Sequence, residues 1–122
     1  MTHEESEFIA YNLGALELEW SQLAVYDQPI GIRLLLLDAS TGAEHYLIQY
    51  PTGLKAKWHR HSVAQSIVVL EGKLEVNGAV IGPGSYCHFP QGVPMHHAPA
   101  GDEDCLFVTI FHGTFDVEVV LP

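Results

Sequence analysis

The sequence predicts an all-β fold, a single barrel or sandwich, on three observations. Short runs that alternate apolar and polar residues recur along the chain. The residues between them carry turn chemistry, and no window of about 12 residues shows the 3.6-residue apolar stripe of a helix. With 122 residues the chain can bury one core without covalent staples, so one domain is expected.

Residues 1–12 show no clear pattern and are expected to form an N-terminal arm, leaving 13–122 as the folded domain. The run Leu16-Glu17-Leu18-Glu19-Trp20 alternates, which places the leucines and the tryptophan on one face and the glutamates on the other. Further strands are expected over 32–37, 45–50, 66–70, 74–76, 80–81, 85–89, 105–111 and 115–121. Asn77-Gly78 tolerates the positive φ angles of a type I′ hairpin and should join the strands on either side of it. Ser40-Thr41-Gly42, Pro51-Thr52-Gly53, Gly82-Pro83-Gly84 and Pro90-Gln91-Gly92 mark other turns.

Fifteen acidic residues against five Lys and Arg give a formal charge of −10, which would repel phosphate backbones and anionic lipid. Nucleic acid and membrane are therefore not expected as partners. No apolar run approaches a membrane span, and Met1 to Glu7 is acidic where a secretory signal would be basic, so a cytoplasmic location is expected. Cys87 and Cys105 lack metal-binding or disulfide spacing and read as buried thiols in strands.

Chemistry concentrates in the histidines. Five of the eight (His59, His61, His88, His96 and His97) fall between positions 59 and 97 of an otherwise apolar, strand-rich stretch. His59 and His61 are two apart, so on a strand both imidazoles project from one face and can reach one ion while Arg60 turns away. Neutral nitrogen and oxygen ligands suit Fe, Zn, Ni and Cu and leave room for water or substrate at the metal. Lys55 and Lys57 share that parity and are expected to be exposed. The direction of His88 is open, His3, His45 and His112 read as surface or strand residues, and Asp102-Glu103-Asp104 reads as a solvated loop.

The spacing Gly53-x5-His59-x-His61-x3-Gln65-x6-Gly72 resembles the first motif of the cupins, G-x5-H-x-H-x3,4-E-x6-G, except that glutamine replaces the glutamate. Gly84-x5-Pro90-Gln91-Gly92, followed after Val93-Pro94-Met95 by His96, resembles the second, G-x5-P-x-G-x2-H, with the histidine one residue late. The resemblance implies the cupin double-stranded β-helix, a jelly-roll-like barrel, holding one divalent metal ion. Its expected ligands here are His59, His61, Gln65 and a histidine of the His96-His97 pair. A loop absorbs an insertion more cheaply than a strand, which favours His96, whereas a bulge at Met95-His96 would bring His97 to the ion instead. Gln65 could coordinate through its amide oxygen, as it does in some cupins that isomerise uronic-acid breakdown products, or could instead support His59 or His61.

Within the superfamily the stretch from Gly31 to Gly53 is loosely similar to the cupin domain of zinc-binding anti-sigma factors. It is also similar to iron dioxygenases that cleave dihydroxyacetophenone or β-diketones. The favoured expectation is a mononuclear Fe(II) dioxygenase-like enzyme acting on a small oxygenated or anionic substrate, with Zn, Ni or Mn as other possible ions. A metal-dependent sugar-acid isomerase or lyase and a non-catalytic zinc or ligand sensor are the alternatives. Catalytic residues beyond the metal ligands are not identifiable from the sequence, and a homodimer is expected from the habit of the fold.

Overall fold

The computed structural model describes residues 8–121. Eleven strands are present among them: β1 (Glu19–Ser21), β2 (Ile30–Leu37), β3 (Glu44–Tyr50), β4 (His59–Arg60), β5 (Gln65–Glu71), β6 (Lys73–Val76), β7 (Ala79–Ile81), β8 (Tyr86–Phe89), β9 (His97–Ala100), β10 (Cys105–Phe111) and β11 (Glu118–Val119). A short 3-10 turn over Leu13–Ala15 precedes them, its first turn held by the Asn12 side chain. Among the described residues no helix is long and apolar enough to cross a membrane.

The strands form a six-stranded sheet in the order β1-β2-β3-β10-β5-β8, a three-stranded sheet β7-β6-β9 and the pair β11-β4. Hydrogen bonding does not run around a closed ring; the sheets face one another as an open, jelly-roll-like sandwich. Period-two alternation decides what they bury. On β10 the residues Cys105, Phe107, Thr109 and Phe111 point inward, and on β5 so do Gln65, Ile67 and Val69. Of these, Cys105, Phe107, Ile67 and Val69 meet Leu74 of β6 and Met95 in one core cluster with Ile48, Tyr50 and Phe89. Ile67, Val69 and Leu74 are fully buried, so truncating any one of them to alanine should cost roughly 2–5 kcal/mol.

Two local devices set the register. Asn77 (φ 48°) and Gly78 (φ 91°) make the tight β6-β7 turn, as their dipeptide predicts. Gly72 (φ 73°) turns β5 into β6 so close to the next loop that a Cβ there would stand 2.1 Å from the Asp104 carbonyl oxygen. Asp104 is exposed in the solvated loop expected over Asp102-Glu103-Asp104, and from there its carboxylate accepts from the Thr52 backbone and hydroxyl at 2.8 and 2.9 Å and from Gln49 at 2.9 Å. Those donors hold its pKa below the ordinary aspartate value.

The expected strands are present with shifted ends, and two expectations need correction. Trp20 is 54% exposed, because only Glu19–Ser21 of its run pairs, and does so at the edge of the sheet. Of the strand expected over 115–121 only Glu118–Val119 pairs. The arm expected over 1–12 lies outside the described residues as far as residue 7; beyond that, the Tyr11 hydroxyl donates to the Leu35 carbonyl. Cys105 is buried and Cys87 half-buried, both as free thiols within strands.

Candidate metal centre

A cavity of about 320 Å³ opens between the inner faces of β2, β3, β5 and β10. Apolar and aromatic side chains make most of its wall, among them Ile32, Ile48, Phe107, Phe111 and Phe115, and among the described residues no charged side chain lines it. At its foot stand His59, His61, Gln65 and His97, each at most 4% exposed.

Each of these groups is aimed by a hydrogen-bond partner of its own. His59 Nδ1 donates to the Lys57 carbonyl at 3.0 Å, and His61 Nδ1 donates to the Asp116 carbonyl. A carbonyl can only accept, so both rings carry their hydrogen on Nδ1, and in the neutral form each presents the lone pair of Nε2. Burial keeps them neutral: it pushes the pKa of His59 down to about 4 and lowers that of His61. His97 is held well below the usual value, again chiefly by burial, and its Nδ1 lies 2.7 Å from the Tyr50 hydroxyl. The Tyr50 hydroxyl in turn meets that of Tyr26 at 2.5 Å.

The orientation of the Gln65 amide follows from a proton count. Thr109 Oγ1 donates its only hydrogen to the Ser66 carbonyl, so towards Gln65 it must accept, which assigns the atom 2.9 Å away as Nε2. The amide oxygen is left facing the histidines. Gln65 Oε1, His61 Nε2 and His97 Nε2 are all buried without any hydrogen-bond partner. A buried polar atom without a partner costs about 1–3 kcal/mol, and three in one cavity call for a shared ligand.

His96, the histidine favoured from the spacing, does not face the cavity. Its Nδ1 lies 2.8 Å from the Glu75 carboxylate, and its ring packs on Trp58. The reason is that pairing begins before it. Met95 exchanges two backbone hydrogen bonds with His59, at 3.0 and 2.7 Å, and its side chain is buried. Met95 occupies the position where the second motif has its histidine, so the late histidine that shares its face is two residues on, at His97. No bulge is needed. Tyr50, Thr109 and Asp116, which aim the donors, were missed by the sequence reading; each lies more than 40 residues from the side chain it holds. His88 lies outside the cavity, and Lys55 and Lys57 are exposed.

The donor set fits a divalent ion. Imidazoles bound through nitrogen at about 2.1 Å put ring centroids about 4.5–5.2 Å apart for angles between octahedral and tetrahedral. The His59 ring lies 5.0 Å from both His61 and His97. As placed, the rings have not closed into a cage, since among the described residues no three His, Cys, Asp or Glu groups stand together at ligating distance.

Residues 4–116 match the family of ChrR cupin-like domains. The chain belongs to that cupin family. Its fold is shared by a cupin-like protein of Thermotoga maritima, 18% identical, with TM-score 0.76 and 86% of each chain covered. A candidate acetylacetone dioxygenase of Methylibium petroleiphilum is 15% identical, with TM-score 0.76, covering 95% of this cupin and 83% of that chain. The polyketide cyclase RemF of Streptomyces resistomycificus is 17% identical, with TM-score 0.72, covering 95% of this cupin and 87% of that chain. No curated protein matches this cupin by sequence.

Proposed function

We propose that this cupin is a mononuclear metal-dependent enzyme of the Fe(II) dioxygenase type, acting on a small, largely apolar substrate that bears oxygen donors. The observation that carries the reading is the set of unpartnered buried atoms, Gln65 Oε1, His61 Nε2 and His97 Nε2, beside His59 at the foot of an apolar cavity. These four residues would hold the ion. Divalent iron would supply a place where an oxygenated substrate and dioxygen meet.

The chain's own groups shape the rest. Three imidazoles and an amide bring no negative charge, so the cation's charge is left to be balanced by an anionic oxygen such as an enolate. With its Nε2 engaged, His97 donates from Nδ1 to the Tyr50 hydroxyl, which must then pass its own hydrogen to Tyr26. Tyr26, whose pKa burial raises to about 12, is left with its hydroxyl hydrogen free for an acceptor in the cavity it lines. Phe111 and Phe115 pack against His61 and exclude water from that side. The absence of a charged side chain among the described residues of the wall favours this reading over a sugar-acid isomerase, whose substrate carboxylate would call for a cationic side chain.

The test is metal analysis of protein purified without a metal column, followed by oxygen uptake of the iron-loaded form with a panel of β-diketones and dihydroxyaryl ketones. One iron per chain and substrate-dependent oxygen uptake are expected. Tightly held zinc with no uptake would put the sensor alternative ahead.

A further inference from the structure

Ser66 follows Gln65 on β5 and therefore faces the opposite side of the sheet. Its hydroxyl lies 2.8 Å from His88 Nδ1 and 2.9 Å from His112 Nε2, and it accepts from the Tyr86 hydroxyl at 3.2 Å. The sheet builds this meeting. His88 stands directly opposite Ser66 in the β5-β8 ladder, and His112, just past β10, is tied to the same strand pair by its backbone N–H on the Ala64 carbonyl. The two imidazoles are exposed with ring centroids 5.7 Å apart, while Ser66 is buried beneath them.

We propose that His88 and His112, with the Ser66 hydroxyl beneath them, form a second cation site on the outer face of the sheet, selective for late first-row divalent ions such as zinc, nickel and copper. The convergence of His88 Nδ1 and His112 Nε2 on one point, at 2.8 and 2.9 Å from the same oxygen, motivates it. The serine hydroxyl has one hydrogen and already accepts from Tyr86, so it can donate to only one of the two rings. The other ring must spend its own N–H on the same oxygen, although both aim nitrogens at one point. An ion between the two nitrogens uses both lone pairs at once. The 5.7 Å ring separation is slightly wider than the roughly 4.5–5.2 Å of two imidazoles on one ion, and rings exposed to solvent can close that gap. Water completes the coordination on the open side, and the formal charge of −10 draws cations to the surface. Two imidazoles and a hydroxyl, without a carboxylate among them, select nitrogen-seeking ions over calcium or magnesium.

Calorimetric zinc titration of the metal-free protein at neutral pH tests the site. Wild type should take up two zinc ions, H88A/H112A one, and H59A/H61A one, with the surface affinity unchanged in the last. H88Q/H112Q, which keeps hydrogen-bonding groups over Ser66, should also lose one ion, and circular dichroism checks that both surface variants fold. The proposal is overturned if H88A/H112A and H88Q/H112Q bind as much zinc as wild type, or if H59A/H61A binds none. Failure of the pocket reading looks different: H59A/H61A would then keep the wild-type stoichiometry while H88A/H112A loses an ion.

Discussion

Gln65 and Ser66 are neighbours on one strand, yet they serve two histidine clusters of opposite character. Inside, three imidazoles and an amide stand in an apolar cavity with their outer nitrogens engaged, while Gln65 Oε1, His61 Nε2 and His97 Nε2 are buried without a partner. Outside, two exposed imidazoles share one hydroxyl, and every polar atom has water or a neighbour within reach. The comparison teaches that a histidine's chemistry is set by what its second nitrogen meets and by what surrounds the first, rather than by the local density of histidines. A pocket imidazole is held to one tautomer and one direction; a surface imidazole can choose.

The sharpest way to break the comparison is to empty the inner cluster. H59A/H61A should lower pocket metal affinity by at least a thousandfold, as expected for two lost ligands, while leaving a folded sandwich by circular dichroism. Full pocket occupancy in that variant would end the assignment. Acid should act next. Because the folded pKa of His59 is depressed from 6.5 to about 4, the unfolded chain binds the proton first. Stability of the metal-free protein is therefore complete above pH 6.5 and falls as the pH drops towards 4, by roughly 3 kcal/mol from this residue alone. Urea midpoints measured across that range should show the decline; a flat profile would mean the cavity admits water freely.

Smaller effects separate neighbours. H97A should weaken metal binding at least tenfold and H96A much less, since His96 faces Glu75. The reverse order in a calorimetric titration would mean that the strand slips by one residue in solution. Y50F removes the group that aims His97 while keeping the stacked ring, and should cost about tenfold in metal affinity with little change in thermal stability. An unchanged affinity would show that packing alone orients His97.

Much of this was legible in the sequence because side-chain parity is local. His59-x-His61 predicts two imidazoles on one face, and both are buried together. Asn77-Gly78 predicts its hairpin with the right backbone angles. What parity could not supply was the origin from which to count. Whether His96 or His97 turns inward depends on where pairing begins, and that is decided by Met95 meeting His59 across the chain. The buried Met95 two residues before His97 was the available signal, an apolar residue standing where the motif has histidine. The supports Tyr50, Thr109 and Asp116 were not legible, because each depends on contacts between strands far apart in sequence.

The segment from Phe115 to Glu118 joins two tasks. Phe115 and Val117 line the cavity, while the Asp116 carbonyl holds His61, its carboxylate holds the Ser62 amide and hydroxyl, and Glu118 grips Arg60 in a two-pronged ion pair. Wall and ligand support are thus one short piece of chain. Whatever leans on Phe115 also tilts His61, so cavity contents and the proposed ion could not be held independently. By thermodynamic reciprocity, a guest that tightens the ion's hold must itself be held more tightly, by the same factor, when the ion is there.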